Sequence, residues 1–230
     1  MTIIMISITK LITYVLISIF CIAFSLAATP GEAFISNATD LGEYILQSPD
    51  TVTAEAGNIS QANLDANMST FRWAGLVGNV SGSIVLGDAN EDVMFEWDAV
   101  GNLVYASQSA TINWPALADA DKAAVVAEYS YLVDGTSDAY NNTFGSIGII
   151  GSNIFTTILS DFAYTKDSFG LDVWRTFSLT DGSAIIFAGE VLQGFASYSG
   201  ADIGFQMILP EDGTAGDETP QSYNLWVELK

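Results

Sequence analysis

The chain has no histidine, a single cysteine (Cys21), and only six lysines and arginines against 27 aspartates and glutamates. Each shortage removes a class of chemistry. Histidine is the usual general base near neutral pH and the commonest transition-metal ligand, so its absence removes His-dependent triads. With Cys21 confined to the N-terminal apolar run, a zinc site or a Cys-His dyad elsewhere is excluded as well. A net charge of −21 repels nucleic acid and acidic lipid headgroups while keeping the chain soluble. The same balance suits a chain that gathers cations and one adapted to a high-salt habitat. Lysine is missing between Lys10 and Lys122, so the glycines of Phe71 to Asp98 do not form a phosphate-binding loop, which requires Gly-x-x-x-x-Gly-Lys-Ser/Thr. Gly75, Gly78 and Gly82 are instead expected where another backbone or side chain approaches closely, or where a strand bends.

The N-terminus is apolar. Leu11 to Ala27 ("LITYVLISIFCIAFSLA") ends in small residues and reads as a secretory signal, cleaved before Ala28 with Ser25 and Ala27 at the minus three and minus one positions. A run of about 17 to 25 apolar residues also spans a bilayer, so a retained anchor is the rival reading. Membrane contact is expected only through this leader. Bulky Phe20 before Cys21 argues against a lipoprotein signal. The remaining chain of about 200 residues can bury roughly 70% of its unfolded surface, enough to fold without disulfides.

Period-two alternation dominates after the leader, the mark of half-buried strands. Val80, Gly82, Ile84 and Leu86 share one face and Asn79, Ser81 and Ser83 the other. After the "GDANED" turn, Val93, Phe95 and Trp97 point one way, so the stretch is expected to be a hairpin with Trp97 in the core. Further strands are expected at Leu103 to Ser107, Asp172 to Thr180, Ser183 to Leu192, Ile203 to Leu209 and Tyr223 to Lys230. An earlier pair is expected at Thr51 to Ala56 and Ile59 to Leu64, and Asp181-Gly182 supplies a hairpin turn. The alanine-rich segment from Pro115 to Leu132 breaks the rhythm and predicts a helix, with Asp119 and Asp121 favouring its start. "DGTSDAYNNTFG" (Asp134 to Gly145) reads as loop. The expected organisation is a leader (1–27), an extended segment (28–50) and a mainly β, jelly-roll-like β-sandwich (51–230) with one helical insertion near 115–132.

Candidate sites are few. Sequons at Asn37, Asn58, Asn67, Asn79 and Asn141 are acceptors for N-linked glycans in an exported chain. Asp88, Asn90 and Asp92 place oxygens at alternate positions, as a calcium loop begins, but Val93 stands where that loop needs glycine and Ala99 where it needs a carboxylate. Ca²⁺ is therefore the one cofactor considered, and Asp134 with Asp138, or Glu211 with Asp212 and Asp217, are weaker versions of the same idea. The motifs of aspartic proteases and of the Gly-x-Ser-x-Gly elbow are absent. Two-carboxylate glycoside hydrolysis would fall to Glu96 and Glu190, whose plainer reading is a pair of strand carboxylates facing solvent. Enzymatic activity is not expected. Among the tryptophans, Trp174 and Trp226 fall on the more polar faces of their strands and are the candidates for stacking on sugars or a partner.

"AEAGNIS" (Ala54 to Ser60), "RWAGLVGNVSGSIVLGD" (Arg72 to Asp88), "DAYNNTFG" (Asp138 to Gly145), "GFQMILPEDG" (Gly204 to Gly213) and "YNLWVELK" (Tyr223 to Lys230) occur in that order. Together they resemble an uncharacterised family of secreted archaeal cell-surface proteins. The most distinctive part is the W-x-G-x-x-G-N-x-S-G block that starts at Trp73 and contains Asn79. The resemblance implies export, a β-rich fold, glycosylation and a place on the cell surface, with no catalytic residue to transfer. Trp73 is a candidate contact because it lies in that block. The expected role is a structural subunit of an envelope layer or filament. Its partners are further copies, other surface proteins or glycans, and Ala28 to Asp50 is suited to complete a neighbour's sheet. The alternative is a carbohydrate- or calcium-dependent adhesion module.

Overall fold

The computed structural model describes residues 29–45, 51, 55–59, 61, 63–212 and 220–230. The leader, its cleavage point, residues 46–50 of the extended segment, parts of the first expected strand pair and Asp217 lie outside them. Among the described residues the chain forms the strands β1 (Gly31–Glu32), β2 (Trp73–Gly78), β3 (Ser83–Gly87), β4 (Val93–Asp98), β5 (Val100–Ser107) and β6 (Ala118–Asp119). Then come helices α1 (Lys122–Glu128) and α2 (Tyr140–Thr143), followed by β7 (Ser146–Ile150), β8 (Ile158–Lys166), β9 (Asp172–Thr180), β10 (Ile185–Ala196), β11 (Asp202–Pro210) and β12 (Asn224–Leu229). None of these helices is long and apolar enough to cross a membrane.

The strand pairs are antiparallel, and the main sheet runs β1-β12-β5-β10-β9-β8-β7, with β6 beside β9. β10 serves two sheets. Ile185 to Glu190 pairs with β9 and β5, whereas Val191 to Ala196 pairs with β11, with a register slip between Val191 and Phe195. β2 then adds to β11, so the bend in β10 carries β11 and β2 across one face of the main sheet. The result is a mainly β, sandwich-like fold.

Alternation along the central strands explains why two cores form. Val104, Ala106, Ile185 and Phe187 point toward Met207 and Leu209 of the second sheet and toward Tyr129, Tyr140 and Phe144 of the helical insertion. Their neighbours Leu103, Tyr105, Ile186 and Ala188 point the other way, onto Trp114, Phe177 and Trp226. A strand buried on both faces gains about 1.5–3 kcal/mol per large apolar side chain.

The expected helix at 115–132 is shorter and interrupted. Trp114–Ala116 and Ser130–Leu132 are 3₁₀ turns, and Ala118–Asp119 is taken up by β9, where it pairs with Thr180 and Leu179. Asp121 then caps α1, its Oδ1 accepting the Ala124 N–H at 2.9 Å, so the helix starts at Lys122. The segment read as loop contains α2. The expected strands at 51–56 and 59–64 are not found among the described residues there; the Asn58 N–H donates to Glu55 O in a turn, and Ile59 and Leu64 are exposed. β7 and β8 were not foreseen, because β8 buries Ser160 and exposes Leu159, which erases the hydrophobic alternation.

The Asp-Gly turn between β9 and β10 is held by Asp181. Partial burial pushes its carboxyl up, but N–H donors from Asn113, Ser183 and Ala184 and the Ser183 hydroxyl outweigh that and hold it down at about 2. A depressed folded-state value contributes stability above the unfolded value near 3.8, which is lost as pH falls toward 2. Discounted for solvent at the turn, the contribution is about 1 kcal/mol. Acid unfolding of Asp181→Asn should therefore differ from the parent by an upper-pH stability loss that vanishes below about pH 2; a difference constant across that range would refute the linkage.

Candidate functional site

β3 and β4 form a two-stranded sheet of their own. Its register sets Ile84 opposite Trp97 and Leu86 opposite Phe95, and Val93 shares their side by alternation along β4. The hairpin and the common face are therefore as the alternation predicts. The burial is not: Ile84, Leu86, Val93, Phe95 and Trp97 are 47%, 52%, 57%, 55% and 48% exposed, so Trp97 is a surface residue. The Phe95 and Trp97 rings touch each other, with centroids 4.7 Å apart. Ser83, Val85, Met94, Glu96 and Asp98 occupy the opposite side, where Val85 and Met94 are exposed among the polar residues. An isolated two-stranded hairpin is marginal in water, and a contiguous uncovered apolar face marks an interaction surface.

Among the described residues, backbone hydrogen bonds hold the hairpin at its root. Ala99 N–H donates to Gly82 O and the Lys230 N–H donates to Ala99 O, each at 2.9 Å. Gly82 lies close against Leu229 there, since a Cβ would stand 2.6 Å from Leu229 Cδ2 and that side chain would have to shift. Gly78 meets the Phe205 ring more loosely, and Gly75 faces open space.

At the tip, Asp88 is occupied by its own turn. Its Oδ1 accepts the N–H groups of Asn90 and Asp92 at 2.9 and 3.1 Å, and its Oδ2 the Asn90 amide. These bonds, the Asn90 N–H first, hold the carboxyl below the usual range. Asp88, Asn90 and Asp92 are thus brought together as a polar turn. Among the described residues there is no group of three or more acidic residues placed to hold a metal. Asp134 pairs with Lys122, and Asp138 with Arg72 at 3.7 Å and the Thr70 hydroxyl at 2.8 Å.

The other foreseen residues scatter. Trp174 and Trp226 are buried, 0% and 5% exposed, which corrects their placement on solvent-facing surfaces. The polar residues beside them are buried as well and bonded internally: Ser178 Oγ lies 2.7 Å from the Tyr140 hydroxyl, and Thr176 Oγ1 accepts the Ile208 N–H. Trp73 is half-buried, its Nε1 donating to Asp138 O at 2.6 Å and its ring 5.5 Å from Phe144. Glu190 is gripped by Arg175, whose Nε donates to Oε2 at 2.7 Å, while Glu96 sits on the separate hairpin sheet. Asn37, Asn58, Asn67, Asn79 and Asn141 are all exposed.

A second uncovered feature lies at the N-terminus. Gly31–Glu32 pairs with β12, and Ala33 N–H donates to Leu225 O. Beyond Ala33, Phe34, Ile35, Leu41, Tyr44 and Ile45 are 57–91% exposed. The fold and this surface define a mainly β protein with an apolar two-stranded appendage and an apolar N-terminal segment, both unpacked. No protein-family model, curated protein or solved structure matches the chain.

Proposed function

We propose that this chain is a secreted, glycosylated structural protein of a cell surface, a subunit of an envelope layer or filament assembled through β-strand contacts. The observation that carries the reading is the uncovered face of Ile84, Leu86, Val93, Phe95 and Trp97. A face of this kind loses water-exposed apolar area on association, at about 25 cal/mol per Å². Ionic self-contact is disfavoured in a chain of net charge −21, and Arg72, Lys122, Lys166 and Arg175 are already paired with carboxylates of the same subunit. Apolar packing and backbone pairing are what remain. The exposure of the five sequon asparagines is the arrangement that glycan attachment needs.

The test is the mass of the exported protein by light scattering, before and after enzymatic deglycosylation and with a calcium chelator. Particles many times the 24.5 kDa of one chain are expected, resistant to chelation, with a measurable loss of glycan mass. Phe95→Asp should reduce them to monomers. A wild-type monomer under every condition refutes the subunit reading.

A further inference from the structure

We propose that the apolar face of the β3–β4 hairpin seats residues 34–45 of a second copy of this chain, which makes the assembly head-to-tail. The inference rests on the subunit reading above and names the two surfaces that meet.

Three observations select this occupant. The first is reach. Ala33 is the last residue of the segment bonded to β12, and the twelve residues from Phe34 to Ile45 span about 40 Å when extended, at roughly 3.3 Å each. That length is ample to leave one subunit and lie along a hairpin whose strands are five and six residues long.

Chemical match is the second. Phe34, Ile35, Leu41, Tyr44 and Ile45 are exposed on the donor, as the five apolar residues are on the hairpin. Among the described residues β3 and β4 pair only with each other, so each also presents an edge for backbone bonding.

Charge decides between this pairing and the packing of two hairpins face to face. Asp88, Glu91 and Asp92 crowd the tip of each hairpin, so a symmetric pair packed tip beside tip would bring two such sets together, with Glu96 and Asp98 on the far side. The segment 34–45 carries only Asp40 and Glu43. Like charges in contact oppose association, and the segment brings fewer. Because donor and acceptor are different surfaces of one chain, each subunit can give its segment to one neighbour and accept that of another, which builds a ring or an open string. Gly31–Glu32 stays with its own subunit, so the donor is shorter than the whole of 28–50.

Two variants test the pairing: a deletion of residues 34–45, and the double substitution Phe95→Asp/Trp97→Asp. Circular dichroism and thermal melting confirm that each retains its fold. Light scattering should find each variant monomeric and their equimolar mixture at twice the monomer mass and no larger, since each supplies what the other lacks. Continued assembly of the deletion variant would overturn the donor assignment while leaving the subunit reading intact. A monomeric wild type would overturn both. Should the double variant unfold, single cysteines decide the matter, because the chain beyond Cys21 has none. Ile35→Cys and Leu86→Cys chains, mixed and oxidised, should cross-link to each other; homodimers alone would overturn the pairing.

Discussion

Replacing Trp174 with alanine should lower the unfolding free energy by about 3–5 kcal/mol, the range for emptying a large aromatic site. The side chain is fully buried, and its ring meets the Phe195 edge at 6.3 Å. Its Nε1–H is buried with no hydrogen-bond partner, so Trp174→Phe removes an unsatisfied donor along with some volume. The phenylalanine variant should therefore lose less, about 1–2 kcal/mol. Denaturant unfolding separates the two, with the midpoint shifting and the slope unchanged. If the ring were instead a platform for sugars at the surface, Trp174→Ala would stay within about 0.5 kcal/mol of the parent. That result would sink the core assignment.

Glu228→Ala should cost a similar amount for an opposite reason. Glu228 is a buried carboxylate whose Oε2 accepts the Asn102 N–H at 2.9 Å. Its Oε1 accepts the Ser152 hydroxyl at 2.8 Å and the Asn153 N–H at 2.6 Å. One side chain thereby ties β12 to β5 and to the loop that follows β7. The backbone is shaped for it, since a Cβ on Gly101 would stand 2.6 Å from Glu228 Cγ. Alanine leaves all three donors without an acceptor, and about 3–5 kcal/mol should be lost. Glu228→Gln keeps one acceptor oxygen but turns an amide N–H₂ toward a donor, so it should fall between alanine and the parent. Equal stability of glutamine and glutamate variants would mean that the carboxylate's second oxygen contributes nothing.

These two residues also mark where sequence pattern and structure part. The strands with clean alternation, β5, β9, β11 and β12, lie within a residue or three of their expected limits, as the period-two pattern predicts. Polarity on a strand face was the weaker guide. Ser178, Thr176 and Glu228 make their faces read as solvent-facing, yet each has its hydrogen-bonding groups satisfied inside. Trp174 and Trp226 share that misreading. The hairpin is the converse case: Ile84, Leu86, Phe95 and Trp97 have the composition of a core strand and face solvent. Alternation reports which side chains share a face, whereas the identity of the layer above that face depends on residues distant in sequence. The candidate surface was thus legible as a hairpin with one apolar side and not as an uncovered one. Of the segment expected to be extended, 28–50, Gly31–Glu32 pairs with the chain's own β12.

The placement of β12 has a mechanical consequence. The N-terminal segment leaves it at Leu225, and the hairpin is rooted at its other end, where Leu229 pairs with Val100 at the start of β5. A pull between segment and hairpin therefore runs lengthwise along β12. Ladder hydrogen bonds lie across the strands, so such a load strains the β12–β5 rungs together instead of peeling them one by one. Resistance to tension in a string of subunits would be set first by the short β1–β12 pairing at Gly31, Glu32 and the Ala33 N–H, which lies in series with that longer ladder and its Glu228 tie.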